Sequence, residues 1–174
     1  YGARSGLGLA MVEARVAEGH GVWGTSLVLS RLAARWHFHP VELYVTQIMS
    51  SDEAWKAAHA EAGGFDVVIN NAGSGHFHAA EFLPREVLLA QFELLVFGTI
   101  HLSQLALQSM RAQNRGLLIN LTSLASRLPV PLTAPYNAAT AATPSFTLTL
   151  QPEHGGSAPP TADLPAAGTR PDAT

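Results

Sequence analysis

LLINLTSLASRLPVPLTAPYNAAT (residues 117–140) opens as an apolar, branched run, Leu117, Leu118, Ile119 and Leu121, and then turns polar at Thr122 and Ser123. Such a run reads as a buried strand. Pro129, Pro131 and Pro135 hold the loop beyond it, and Tyr136 stands where an alanine-rich helix begins. Twelve residues separate Ser123 from Tyr136. A hydroxyl at the carboxyl end of a buried strand and a phenol in the first turn of the next helix can both face the crevice at the top of an α/β sheet, sharing one substrate oxygen.

Upstream, FDVVIN (65–70) is a second strongly buried strand, ending in Asn70-Asn71-Ala72-Gly73. Asparagine amides can stitch neighbouring strands, and Ala72 and Gly73 leave space beside the backbone. Between the two strands, Val87, Leu88, Phe92, Leu95, Val96, Thr99, Leu102, Leu105 and Ala106 recur at helical period, which predicts one long helix from Pro84 to about Gln113. Gly98 within it fits close helix packing. At the amino end, YGARSGLGLAMVEARVAE (1–18) places Gly2, Gly6 and Gly8 before a helical pattern. Glycines admit a pyrophosphate close to the backbone, and the first free amides of the helix hold the anion. By itself this spacing is more often a turn and a cap.

Together these motifs resemble the short-chain dehydrogenase/reductase family, whose signature is a serine, twelve residues, a tyrosine, three residues and a lysine. The resemblance covers residues 1 to about 150. It implies an α/β fold, a Rossmann-type doubly wound parallel sheet, here incomplete because the first strand and the last strands are missing. It implies an NAD(P)-dependent oxidoreductase acting on an alcohol/carbonyl pair of a small apolar molecule. Ser123 and Tyr136 would be catalytic, with Gly2, Arg4, Ser5, Gly6, Leu7, Gly8, Asn71, Ala72, Gly73 and Tyr136 binding the cofactor. The family's long helices commonly pair two subunits, so the resemblance also implies a homodimer through 84–113 and 136–150.

Several positions depart from the family. Thr140 stands at the lysine, Leu95 at an active-site asparagine, Tyr1 at the threonine that begins the glycine loop and Tyr44 at an aspartate that touches adenine. A phenol titrates near pH ~10 in water, and the lysine's charge is what brings it toward neutrality. Its loss predicts turnover reduced on the order of a hundredfold or more. A non-catalytic dinucleotide-binding or dimerisation module, or a decayed fragment, are the alternatives.

HGVWGTS (20–26) reads as a strand whose end chooses between cofactors. It carries Ser26-Leu27, neither acidic nor basic, so Arg4 leans the preference to NADP over NAD; Arg31 reads as an exposed helix charge. VELYV (41–45) reads as the next strand, and Ser51–Ala62 as a helix capped by Ser51 or Asp52 and broken by Gly63-Gly64. The helix after Tyr136 continues to Gln151, with Pro144 inside it expected to cost a hydrogen bond and kink it. Beyond Gln151, Pro152, Pro159, Pro160, Pro165 and Pro171 among Gly, Ala, Ser and Thr predict an irregular or disordered tail, 152–174, after a single domain, 1–151.

The 174 residues, 47% hydrophobic and 13% charged, suffice for one core and not two ordinary domains. A net charge of −3 without basic runs argues against a nucleic-acid or anionic-membrane partner. Cysteine is absent, which excludes disulfides and thiolate chemistry. Glu93, Gly98, His101, Ser103 and Gln104 break the apolar stretch Phe92–Leu107, against a membrane span. No leader pattern opens the sequence, so a cytoplasmic location is expected, and a start at Tyr1 suggests a piece of a longer chain. The pairs His37/His39 and His76/His78 lack a carboxylate or cysteine at ligand spacing, so no metal site is expected. No GxSxG surrounds Ser123, which argues against a hydrolase.

Overall fold

The computed structural model describes residues 2–29, 38–153 and 161–166, of which 151–153 and 161–166 by backbone path alone. Tyr1 and Arg31 therefore lie outside the described residues. The chain divides between Gly64 and Phe65 into two compact units, inside the stretch that the sequence reads as one domain.

The first unit contains α1 (Gly6–Ala17), β1 (Trp23–Ser26), β2 (His39–Glu42) and α2 (Ile48–Ala62). β1 and β2 run parallel, in register from Trp23 opposite His39 to Ser26 opposite Glu42. The Thr25 carbonyl, which alternation turns away from β2, accepts the Ala3 N–H at 3.0 Å. Ala3, Val12 and Phe38 form the unit's core with Val16 and Val22 against them. Gly24 is required by that packing, since a Cβ there would lie 2.7 Å from the Phe38 ring and 2.9 Å from the Ala3 methyl.

Two sequence expectations shift here. The strand expected over 41–45 lies at 39–42; Leu43 and Val45 are buried just beyond it, so their alternating apolar signal came from the loop. α2 starts before Ser51, with Gln47 as its N-cap and no side-chain cap. Ser51 is not the cap because its own amide already makes an ordinary helical bond to the Gln47 carbonyl, 3.0 Å. Gly63, in the left-handed region at φ 70°, ends the helix.

The second unit holds β3 (Val67–Asn70), α3 (Arg85–Phe92), a π-helical turn (Glu93–Phe97), α4 (Gly98–Gln113), β4 (Leu117–Ser123), α5 (Ala134–Glu153) and β5 (Thr161–Ala166). The sheet order is β3-β4-β5, all parallel. Leu118, Asn120 and Thr122 of β4 are buried while the alternate residues are half-buried. Leu102, Ala106 and Met110 on α4 supply the apolar face that packs on the sheet. α4 stops at Asn114, in the left-handed region at φ 52°.

β5 corrects the expectation of an irregular tail over 152–174. Thr161–Ala166 pairs with β4 from Leu118↔Thr161 to Ser123↔Ala166. Branched apolar residues are not needed there because the strand is held by its backbone ladder. Pro165 is tolerated because β5 is the outermost strand of the described sheet. The remaining tail residues, apart from the last turn of α5, lie outside the described ones. One of the strands expected to be missing is thus present, whereas no strand precedes the glycine loop among the described residues.

The helical run expected over 84–113 is continuous from Arg85 to Gln113. At 29 residues it is, by length and composition alone, long and apolar enough to cross a membrane, so its polar interruptions do not by themselves argue otherwise. α5 continues without a break through Pro144, whose missing N–H leaves the Thr140 carbonyl without its usual helical donor.

Candidate active site

Ser123 is the last residue of β4 and half-buried. Its Oγ accepts the Ala125 N–H at 3.2 Å, capping the short 3₁₀ turn Leu124–Ser126. Its carbonyl accepts from Ser126 Oγ at 2.6 Å. Among the described residues the Ser123 hydroxyl proton has no acceptor, so the group is a fixed oxygen with a donor to spare.

Tyr136 lies in the first turn of α5, half-buried, its phenol oxygen without a hydrogen bond among the described residues. Gly75, five residues after Asn70, faces its ring: a Cβ on Gly75 would stand 3.4 Å from Tyr136 Cδ2, 3.5 Å from Cγ and 3.7 Å from Cε2. A methyl there would just reach van der Waals distance, so the Gly75 backbone passes beside the tyrosine ring at about the width of one methyl group.

One turn on, Thr140 is 4% exposed and its hydroxyl donates to the carbonyls of Tyr136, 2.8 Å, and Asn137, 3.2 Å. Such back-bonding commits the group to its own helix. It has neither charge nor a free donor to offer a ligand. Leu95 falls in the π-helical turn. A π turn spaces its hydrogen bonds one residue wider and leaves carbonyls for other partners; the Leu95 carbonyl accepts from Thr143 Oγ1 at 3.0 Å. The Leu95 side chain faces Gly73, where a Cβ would meet its Cδ2 at 3.1 Å.

Behind these residues runs a buried polar chain. Asn70 and Asn120, register partners on β3 and β4, are joined by Asn70 Nδ2 donating to Asn120 Oδ1 at 2.7 Å. Asn70 Nδ2 also reaches Ser103 Oγ on α4 at 3.0 Å, and Ser103 Oγ donates to the Thr99 carbonyl at 2.7 Å. Asn120 Nδ2 donates to Thr147 Oγ1 on α5 at 2.8 Å, and that hydroxyl donates to the Thr143 carbonyl, again at 2.8 Å. The strand-stitching asparagine expected of NNAG is therefore Asn70, whereas Asn71 and Ala72 are half-buried and Gly73 is exposed. Asn120, Ser103, Thr143 and Thr147 were not singled out from the sequence. Their signal is faint, polar residues at inward positions of otherwise apolar elements.

The glycine loop belongs to the first unit. Arg4, Ser5, Gly6 and Leu7 are exposed, Gly2 is half-buried and Gly8, in the first turn of α1, is buried. Gly6 adopts φ +56° with open space where a Cβ would project. α1 begins after Ser5 without a side-chain cap. An open glycine backbone, uncapped helical amides and a nearby Arg4 suit an anion such as the pyrophosphate of a dinucleotide. In the second unit, Thr140 does not suit a ribose, which in the resemblance is gripped by a cation. At the end of β1, Ser26 Oγ is taken up by the Val28 N–H at 3.2 Å. Tyr44 is raised above the ordinary phenol value by its hydrogen bond to the Glu42 carboxylate, by that group's charge and by desolvation. No group of three or more metal-ligating side chains occurs among the described residues.

The family model for short chain dehydrogenases matches residues 1–158. "Oxidoreductase BOA17" of Botryotinia fuckeliana is 32% identical over 158 residues, 87% of this chain and 58% of the relative. The 3-ketodihydrosphingosine reductase of Bacteroides thetaiotaomicron is 32% identical over 137 residues, 79% of this chain and 50% of that protein. The crystal structure of a short-chain dehydrogenase from Streptomyces avermitilis superimposes with a TM-score of 0.92 at 29% identity, over 99% of this chain and 66% of its own. The chain thus spans between half and three-fifths of the length of these curated relatives.

Proposed function

The chain belongs to the short-chain dehydrogenase family, and on that premise we propose that it binds a nicotinamide dinucleotide, NADP in preference to NAD, and acts on a small carbonyl or alcohol. The observation that carries this reading is the pair of unengaged donors, the Ser123 hydroxyl at the end of β4 and the Tyr136 phenol in the first turn of α5. A nicotinamide cofactor, when bound, would supply or take up the hydride. Ser123 holds the substrate oxygen by donating its hydroxyl proton, its own oxygen being kept in place by the Ala125 amide. Tyr136 gives that oxygen a proton in the reducing direction and withdraws it in the oxidising one. The glycine loop with α1 would hold the pyrophosphate, Asn71, Ala72 and Gly73 would leave room for the ribose and nicotinamide, and Arg4 would favour the extra phosphate of NADP. The reductase name of the Bacteroides relative supports a ketone as the oxidised substrate.

A second reading, a dinucleotide-binding module with little turnover, is favoured by Thr140. Its hydroxyl is spent on carbonyls of α5, so no charge adjoins the tyrosine. We also propose a homodimer, supported by the exposed Leu89, Phe97 and Leu148 on the helices 84–113 and 136–150; sedimentation as a monomer at tens of micromolar protein would rule it out.

The deciding experiment is a fluorescence titration of the 174-residue chain with NADPH and separately with NADH. Saturable binding, tighter for NADPH, is expected. No saturation by either cofactor at millimolar concentration overturns both readings.

A further inference from the structure

Gln91 is a polar side chain on the apolar stripe of α3, four residues after Val87 and four before Leu95, and it is 1% exposed. Burial of an amide is tolerated when both of its ends are satisfied. Here Nε2 donates to the Ser74 carbonyl at 2.6 Å, and Oε1 accepts the His76 N–H at 3.2 Å. The two bonds grip the peptide units on either side of Gly75, as a neighbouring strand would. Gly75 is the residue that passes beside the Tyr136 ring with room for no more than a methyl group between them.

We propose that Gln91 is a positioning residue for Tyr136: by clamping Ser74 and His76 it holds the Gly75 backbone as a fixed wall against the tyrosine ring. This rests on Tyr136 being the acid–base group, but its structural core, the coupling of Gln91 to the ring, stands without turnover. Nothing else on α3 performs this task among the described residues, and the loop 71–79 has no regular secondary structure of its own. A tyrosine backed on one side by a clamped loop has a narrower range of phenol positions than one backed by a loose one, which is what proton transfer at a single substrate oxygen requires.

The test is fluorine NMR on protein carrying 3-fluorotyrosine, with the Tyr136 signal assigned by its loss in Tyr136→Phe and Tyr44 as an internal reference in the other unit. In Gln91→Met, of similar length but without amide groups, the Tyr136 signal is expected to shift and broaden while the Tyr44 signal stays in place. In Gln91→Glu, acidification that protonates the carboxyl restores both an acceptor and a donor, and the Tyr136 signal is expected to return toward its original position. Gln91→Met has no such recovery. An unchanged Tyr136 signal in Gln91→Met overturns the proposal. So does an equal displacement of Tyr44, which marks a general loss of structure, or a Gln91→Glu signal that ignores pH. If Gln91→Met does not fold, Gln91→Glu alone decides. Because the readout needs neither cofactor nor turnover, its failure is distinct from failure of the dinucleotide-binding reading.

Discussion

Replacing Asn120 with leucine, close to it in size, tests whether the buried polar chain holds the second unit together. Asn120 is 0% exposed and bridges Asn70 to Thr147. Leucine removes the shortest acceptor of Asn70, whose own Oδ1 already has no partner, so one buried N–H is left poorly satisfied. That costs ~1–3 kcal/mol, and the donor withdrawn from Thr147 adds about 1. The added apolar surface returns about 0.8, for a net loss of roughly 1–3 kcal/mol. With a urea slope of ~2 kcal/mol per molar, the midpoint followed by far-ultraviolet circular dichroism falls by ~0.6–1.6 M. Tryptophan fluorescence is unsuitable because Trp23, Trp36 and Trp55 all precede Gly64. Thr149→Val, which removes an exposed hydroxyl bonded to the Ser145 carbonyl, is the control and shifts stability by less than about 0.5 kcal/mol. Asn70→Leu combined with Asn120→Leu removes both partners, so the double variant is less destabilised than the sum of the single ones. A midpoint for Asn120→Leu within ~0.3 M of the parent, or strict additivity in the double variant, refutes the reasoning.

Three further outcomes follow from the same geometry. Thr140→Lys places a cation one turn after Tyr136, and NADPH-dependent carbonyl reduction is expected to rise at least about tenfold; an unchanged rate with intact cofactor binding shows that another departure limits turnover. Tyr136→Phe in that background is expected to lower kcat by ~100-fold or more while changing the NADPH dissociation constant less than about twofold; a preserved kcat removes Tyr136 from the chemistry. Glu42→Gln takes away the carboxylate that raises Tyr44, so the Tyr44 phenol is expected to ionise at lower pH in alkaline absorbance titrations. Because the folded phenol holds its proton more tightly than the unfolded one, its contribution is complete below the unfolded value near pH ~10 and is lost as pH rises through the folded value. An unchanged phenolate titration in Glu42→Gln excludes that contact in solution.

In the second unit β3 and β4 were legible because FDVVIN and LLIN stand out as uninterrupted apolar runs, although Val67 is exposed and Val68 and Ile69 are only half-buried, against the strong burial expected of β3. The long helix was equally plain from its period. β5 was not, because TADLPA is held by main-chain bonds to β4 and those leave little trace in side-chain type. The edge of β2 was misplaced because Leu43 and Val45 are buried without being in the ladder. At the site, Ser123 and Tyr136 were readable from their spacing in the family signature. Gln91 and Asn120 were not, since a single polar residue within an apolar pattern is indistinguishable from a surface position until its partners, distant in sequence, are known. The carbonyl of Leu95 was invisible in principle, because residue type says nothing of where a helix widens by one residue.

That widened turn, Glu93–Phe97, sets the angular phase between the two halves of the helix. α3 must aim Gln91 at Ser74 and His76, while α4 must aim Thr99 and Ser103 at Asn70. Each helical residue advances the direction by ~100°, so deleting one residue in the turn swings one half by that angle relative to the other. Either the clamp on the loop or the tie to β3 is then lost. The length of 93–97 is fixed more strictly than its side chains: the turn works as a gear with a fixed number of teeth, and a single-residue deletion there should harm the protein more than any one side-chain change at the same positions, even at the buried Val96.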